Sequence, residues 1–397
     1  MKKRILSLAA ALLLLLAVLP VPARAADNGT ITVYNWGQYI ADGTDGSLDV
    51  LAEFTKRTGI KVNYLTFDSN ESMYTKLKTG GSTYDIIIPS DYMIGKLISE
   101  DMLEKIDFAN VPNYKNVDDA FRNTAYDPDN AYSVPYTWGT TGLIYNTKYV
   151  DPVTSWKALW DKRYSGKILM FDNCRDAFGI AELIQGYSLN TEDPDEYRSV
   201  AYLLMQQKPL VQSYVMDQIF DKMERGEAWL APYYAGDYLT MAEENPDLAF
   251  CLPDEGYNLF IDAMCIPKGC TNKAGAEAFI NFMCDPEISG KNLDYLGYST
   301  PISSAKQYMD PDMASSPVAY PDAATLARGL SYSNLSTQAS QQMDSLWLSV
   351  KTSGSDTTRY LITSGIVIAV IVLLAVLLRV RSSRRKARRC RKWRETE

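Results

Sequence analysis

The chain has 397 residues and no histidine, which excludes His-based catalytic triads, His-ligated zinc and imidazole general bases. Its net charge of −8 conceals a split: residues 1–25 carry four basic groups and no acid, and residues 379–397 carry ten basic groups against two acids, leaving −20 on residues 26–378. A field of that sign draws small cations and argues against nucleic acid as a partner.

The first residues, Met1-Lys2-Lys3-Arg4, are followed by an apolar run from Ile5 to Leu19, then by Pro20, Pro22 and the small-x-small pattern Ala23-Arg24-Ala25. This is the pattern of a secretory signal peptide over 1–25. At the other end, Leu361 to Leu378 is a run of 18 residues without a charge. At about 1.5 Å per residue it reaches about 27 Å, enough to span the hydrocarbon of a bilayer. The basic cluster of 379–397 behind it predicts a cytoplasmic tail, with everything between Ala26 and about Thr358 outside the cell. Residues 351–360, with Ser353-Gly354-Ser355, read as a tether. A buried core helix followed by a solvated basic tail is the alternative, and the signal peptide argues against it.

Between these ends strand and helix alternate, which predicts an α/β fold. Thr30 to Tyr34 is rich in β-formers. Ser47 is placed to cap a helix carrying Leu48, Leu51, Ala52 and Thr55 at helical spacing, and Gly59 ends it. Lys61 to Phe67 reads as a strand, Asn70 to Thr79 as a helix stopped by Gly80-Gly81, and Tyr84 to Ile88 as a third strand. The continuous run Ile86-Ile87-Ile88 predicts a parallel strand covered on both faces. In such sheets ligands lie beyond the carboxyl ends of the strands. There stand Tyr34-Asn35-Trp36-Gly37-Gln38-Tyr39 after the first strand and Ser90-Asp91-Tyr92 after the third, where a loop of small polar residues would have sufficed. Capping of the core is the plainer role for Trp36 and Tyr92. Of six cysteines, five lie in the exported part, an odd number that leaves at least one unpaired; Cys251 with Cys265 and Cys270 with Cys284 are conceivable pairs, and no CxxC spacing suggests a metal cluster.

The ordered segments Tyr34-Asn35-Trp36, Thr55 to Val62, Ser69 to Tyr74, Tyr84 to Ser90 and Ser133 to Gly139 closely resemble those of the spermidine/putrescine-binding proteins of bacterial ABC importers. Thr154-Ser155-Trp156, Asn281-Phe282-Met283 and Leu296 to Pro301 continue the likeness over nearly all of the exported chain. The resemblance implies a two-lobed periplasmic-binding-protein-like fold, with lobe one at 28–137 plus 262–308, lobe two at 138–261 plus 309–350, and the ligand in the cleft between them. It implies a receptor without cofactor, metal or catalytic residues, whose partners are putrescine or spermidine and the permease and ATPase subunits of the importer.

A polyamine is a methylene chain with ammonium groups at fixed separation, so its receptor needs carboxylates at the ends and aromatic faces along the middle. Position by position, the resemblance points to Trp36, Gln38, Tyr39, Ser90, Tyr92, Asn173, Asp176, Tyr234, Asp237, Phe260, Asp262, Tyr298 and Tyr332, with Asp262 and then Asp237 as the foremost ammonium anchors. The sequence departs from the family where Gln38 and Asn173 replace acids, and where Tyr234 and Phe260 stand for the tryptophans of spermidine-type members. With three carboxylates expected, Asp176, Asp237 and Asp262, the balance favours the dication putrescine. Purely structural roles are the alternative: Asp176 as cap of a helix beginning near Ala177, and Asp172 or Asp262 paired with Arg175 or Lys268. Other functions weighed are a ferric-ion site at Tyr233-Tyr234, a surface hydrolase using Asp237 and Asp262, and a non-transport surface receptor.

Overall fold

The computed structural model describes residues 29–81 and 83–353. The predicted signal peptide, membrane span and basic tail lie outside the described residues, among which no helix is long and apolar enough to cross a membrane.

The alternation read from the sequence gives β1 (Thr30–Trp36), α1 (Val50–Thr58), β2 (Lys61–Phe67), α2 (Asn70–Thr79), β3 (Ile86–Ile87) and α3 (Asp91–Ser99). The sequence placed β2 and α2 with their observed bounds. Ser69 caps α2 in a capping box with Ser72, and Gly59 ends α1 at φ 75°, where only glycine is free of strain. The cap expected at Ser47 belongs instead to Asp49, whose side chain accepts from the Ala52 amide at 2.8 Å. Ser47 is occupied in the preceding turn, where its hydroxyl accepts from the Gly43 amide.

The chain continues through β4 (Leu103–Glu104), β5 (Ser133–Asn146), β6 (Ile168–Phe171), α4 (Cys174–Gln185), α5 (Pro194–Gln207), β7 (Val211–Val215), α6 (Ile219–Glu224), β8 (Leu230–Tyr234), α7 (Ala235–Glu244), β9 (Leu248–Cys251), β10 (Tyr257–Pro267), α8 (Lys273–Met283), α9 (Pro286–Leu296) and β11 (Gly329–Leu330). A final helix, Thr337–Thr352, reaches two residues into the predicted tether.

The sheet runs β2-β1-β3-β10-β5-β8-β6-β7. β1 is parallel to both β2 and β3, as expected of the βαβαβ unit. The two long strands divide it. The first part of β5, from Ser133 to Thr140, pairs antiparallel with β10, and its second part, from Thr141, turns to β8 and β9. One continuous strand thus serves two halves of the sheet. Along the first half, neighbouring side chains alternate between two cores: Ile31, Val33, Ile86, Ile88, Met264 and Ile266 face one, while Tyr34, Ile87, Ala263 and Cys265 face the other. Helices α8 and α9 cover the first face, with Phe54 of α1 edge-on to Phe279 of α8 at 5.1 Å. Both faces are sealed, so Ile86-Ile87-Ile88 has no polar alternation to show.

All five cysteines among the described residues are free. Cys265 lies in one sheet core and Cys284 beyond α8 in the other, while Cys270 donates its thiol hydrogen to Asp85, so neither conceivable pair is a disulfide.

Candidate functional site

A cavity with about 730 Å³ of space, counted together with its opening, lies where the carboxyl ends of the strands meet, and all thirteen residues expected at the site line it. The first half of the sheet supplies the segment after β1 and the start of α3. Trp36 is anchored by its indole N–H, which donates to the Ile88 carbonyl at 2.9 Å, and packs against Phe67. Trp36 and Tyr92 also touch the core, so the plainer capping role and the wall of the cavity are filled by the same rings.

Asp262 sits in β10, 4% exposed, opposite Ser90 in an isolated bridge. The Tyr39 hydroxyl donates to its Oδ2 at 2.7 Å. Its Oδ1 is buried and makes no hydrogen bond, with the Ser90 hydroxyl near the carboxyl. Burial pushes the carboxyl up to about 6, against the restraint of Tyr39 and Ser90.

The second half of the sheet supplies two helix-borne acids. Asn173, not Asp176, caps α4: its side chain accepts from the Asp176 amide at 2.9 Å. Asp176 stands in the first turn and accepts from the Tyr234 hydroxyl at 2.7 Å, with burial raising its pKa. Asp237, in the first turn of α7, accepts from the Tyr298 hydroxyl at 2.9 Å, and burial pushes it up to about 7. Gly236 makes that bond possible, since a Cβ there would stand 2.4 Å from Tyr298 Cδ2. Tyr298 is in turn edge-on to Tyr39 at 5.1 Å, and Phe260 is edge-on to Tyr234 at 5.4 Å, so aromatic faces line the path between the acids. Tyr332 donates to the Arg175 carbonyl at 3.2 Å. Gln38 lines the cavity at a φ of 48°.

Among the described residues Asp262 makes no ion pair with the bases considered for it: Lys268 pairs with Asp101, and Arg175 donates to Asn190 Oδ1 at 2.9 Å and to the Ser333 carbonyl. The guanidinium also lies 4.5 Å above the Tyr332 ring. Burial moves the Tyr233 and Tyr234 phenols upward, and among the described residues no cluster of His, Cys, Asp and Glu is arranged to hold a metal.

Sequence reasoning missed Asn70, Asp91, Arg175, Met216, Asp217, Phe220, Tyr233 and Asn258, which line the same cavity. Asp91 was visible beside Ser90 and Tyr92 at the end of β3. Asp217 and Phe220 follow β7, and the same strand-end rule extended to that strand finds them. Asp217 stands at the mouth, its Oδ2 close enough to the backbone of Gly37 that a Cβ there would be 2.4 Å away. The acids around the cavity therefore number five, not three, against the one base Arg175. Five carboxylates can neutralise a trication as well as a dication, so charge does not favour putrescine.

A family model described as bacterial extracellular solute-binding protein matches residues 49–322. The chain belongs to that family. Its activity class is solute binding, and the two-lobed α/β fold is that of periplasmic binding proteins. This solute-binding protein is 37% identical over 310 residues to the spermidine/putrescine-binding periplasmic protein of Escherichia coli, covering 77% of the chain and 87% of the relative. Among solved structures, an ABC transporter protein from Listeria monocytogenes matches with 38% identity and a TM-score of 0.78, over 81% of this chain and 98% of that one. The spermidine/putrescine substrate-binding protein PotD of Streptococcus pneumoniae matches with 37% identity and a TM-score of 0.68, over 82% and 99%.

Proposed function

We propose that this protein is the polyamine-binding component of an ABC import system, holding putrescine or spermidine in the cavity and delivering it to a membrane permease served by an ATPase. The observation that carries the reading is the composition of the cavity: among the described residues it is lined by five aspartates, by no basic group except a guanidinium directed elsewhere, and by aromatic rings between the acids. Ammonium groups exchange water for carboxylates at the ends, and the methylenes exchange water for the rings of Trp36, Tyr39, Phe260 and Tyr298. Cation–π contact adds roughly 0.5–2 kcal/mol per ammonium according to desolvation.

We infer further that the protein is held at the membrane by its C-terminus. Residues 1–25 are a secretory signal peptide, 361–378 a membrane span and 379–397 a basic cytoplasmic tail, so the binding domain is extracellular or periplasmic and tethered by its C-terminus. Within the domain, the changeover of β5 from β10 to β8 supports lobes at 28–137 plus 262–308 and 138–261 plus 309–350. Thermal-shift measurement against putrescine, cadaverine, spermidine, spermine and ferric iron tests the function. Stabilisation by a polyamine and not by iron is expected, and no response to any polyamine refutes it. Fractionation tests the tether: the intact chain is expected in membranes, and deletion after Lys351 releases it.

A further inference from the structure

Asp91 lines the cavity together with Asp262. It is 3% exposed, the most buried of the five acids, and opens α3 directly after Ser90. Ser90 is the bridge partner of Asp262, so the backbone pairing of α3's leading segment with β10 sets the two acids at one end of the cavity. The Asp91 Oδ1 accepts from the Tyr92 amide at 2.7 Å, and the Ile261 amide of β10 lies near the same carboxyl and favours its ionised form. Among the described residues no lysine or arginine forms an ion pair with Asp91 or Asp262, and Oδ1 of Asp262 makes no hydrogen bond although the Ser90 hydroxyl is near the carboxyl. An ionised pair so enclosed lacks compensation, and a ligand cation supplies it.

Resting on the polyamine reading of the cavity, we propose that Asp91 is a further ammonium-binding residue, acting with Asp262 as one acidic end of the site and giving up a proton as the ligand arrives. The balance is simple. The carboxylic O–H breaks, its proton passes to solvent, and the carboxylate left behind pairs with an ammonium that keeps all its hydrogens.

The surroundings of each acid support this order of events. Burial pushes Asp91 up to about 8; the negative Asp262 adds to that, and the two amides and the more distant Arg175 hold it back. Asp262, at about 6, faces Tyr39, Ser90 and Asp176, and Asp237, at about 7, faces Tyr298 and Asp217. The Tyr39, Tyr92 and Tyr298 phenols are all driven upward by burial, so they stay neutral and exchange no proton. Near pH 8 the empty cavity therefore keeps a proton chiefly on Asp91.

Calorimetry of the full chain with putrescine at pH 8, in two buffers of different ionisation enthalpy, counts the protons released. The wild type is expected to release a measurable fraction of a proton per ligand, since burial holds the Asp91 carboxyl near the working pH. Asp91→Asn is expected to release almost none and to bind roughly tenfold more weakly. A wild type that binds without releasing protons overturns the proposal, as does an Asp91→Asn variant that keeps both the release and the affinity. Should the variant not fold, the wild-type count decides alone. Absence of binding by any polyamine sinks the functional reading itself, whereas binding without proton release sinks only the role of Asp91.

Discussion

The two sides of the cavity hold their carboxylates on different supports. Asp262 is carried by β10 in the middle of the sheet, fixed by pairing on both sides. Asp176 and Asp237 stand in the first turns of α4 and α7, where the helix dipole favours a negative charge. Yet strand-borne Asp262 is raised less, to about 6, than helix-borne Asp237, to about 7. Asp262 has the hydroxyls of Tyr39 and Ser90 beside it and faces the negative Asp176, while Asp237 has the hydroxyl of Tyr298 beside it and faces the negative Asp217. Burial raises both carboxyls, and the hydroxyl donors beside each hold it back.

The sharpest way to break this comparison is to remove each acid in turn. Asp262→Asn should cost most, about 2–3 kcal/mol or roughly a hundredfold in polyamine Kd by calorimetry, because a fully buried charge loses its partner. Asp237→Asn, partly open to solvent, should cost roughly tenfold. Equal losses in both would show that depth of burial does not matter, and unchanged affinity in both would refute the site.

The next effect comes from pH. Carboxyls raised in the folded state stabilise the empty protein below their unfolded pKa of about 4, and that stability is lost as pH rises through about 6 to 8. The ligand reverses the preference, since it pairs with the ionised form. Polyamine affinity should therefore rise roughly tenfold or more from pH 5 to pH 8. The ligand-induced shift in melting temperature should grow in the same direction, and a flat profile would mean the acids are ionised throughout.

Smaller changes sharpen the role of the hydroxyls. Gly236→Ala displaces the Tyr298 ring and should weaken binding by several-fold, about 1 kcal/mol, with more effect than Tyr298→Phe, which removes only the hydroxyl. Putrescine and spermidine are expected to bind within roughly tenfold of each other, about 1.4 kcal/mol, because five acids satisfy either charge. A larger gap measured by calorimetry would show that the aromatic walls, not charge, select the ligand.

Much of the first half of the fold was legible because its signals are local. Lys61–Phe67 and Asn70–Thr79 are bounded by glycines, a capping serine and a change of hydrophobic period, none of which depends on distant residues. The misplaced cap at Ser47 fails for the same reason: Ser47 and Asp49 both have capping side chains, and only the turn at 43–47 decides which is free. For the site, aromatic and acidic residues past strand ends, together with likeness to a known family, were enough to name thirteen lining residues. Asp217 was missed because β7 was not recognised, and Asp91 because a carboxylate after a serine at a helix start reads as an ordinary first-turn acid.

By itself the sequence determined the alternation of strand and helix, the acidic exported segment and the residue types a polyamine requires, since these follow from periodicity, charge and local chemistry. Only the tertiary structure decided which acids share a cavity and how readily each ionises. Those properties depend on β5 and β10 carrying distant segments together, and on which hydroxyls and neighbouring charges the fold leaves beside each carboxyl.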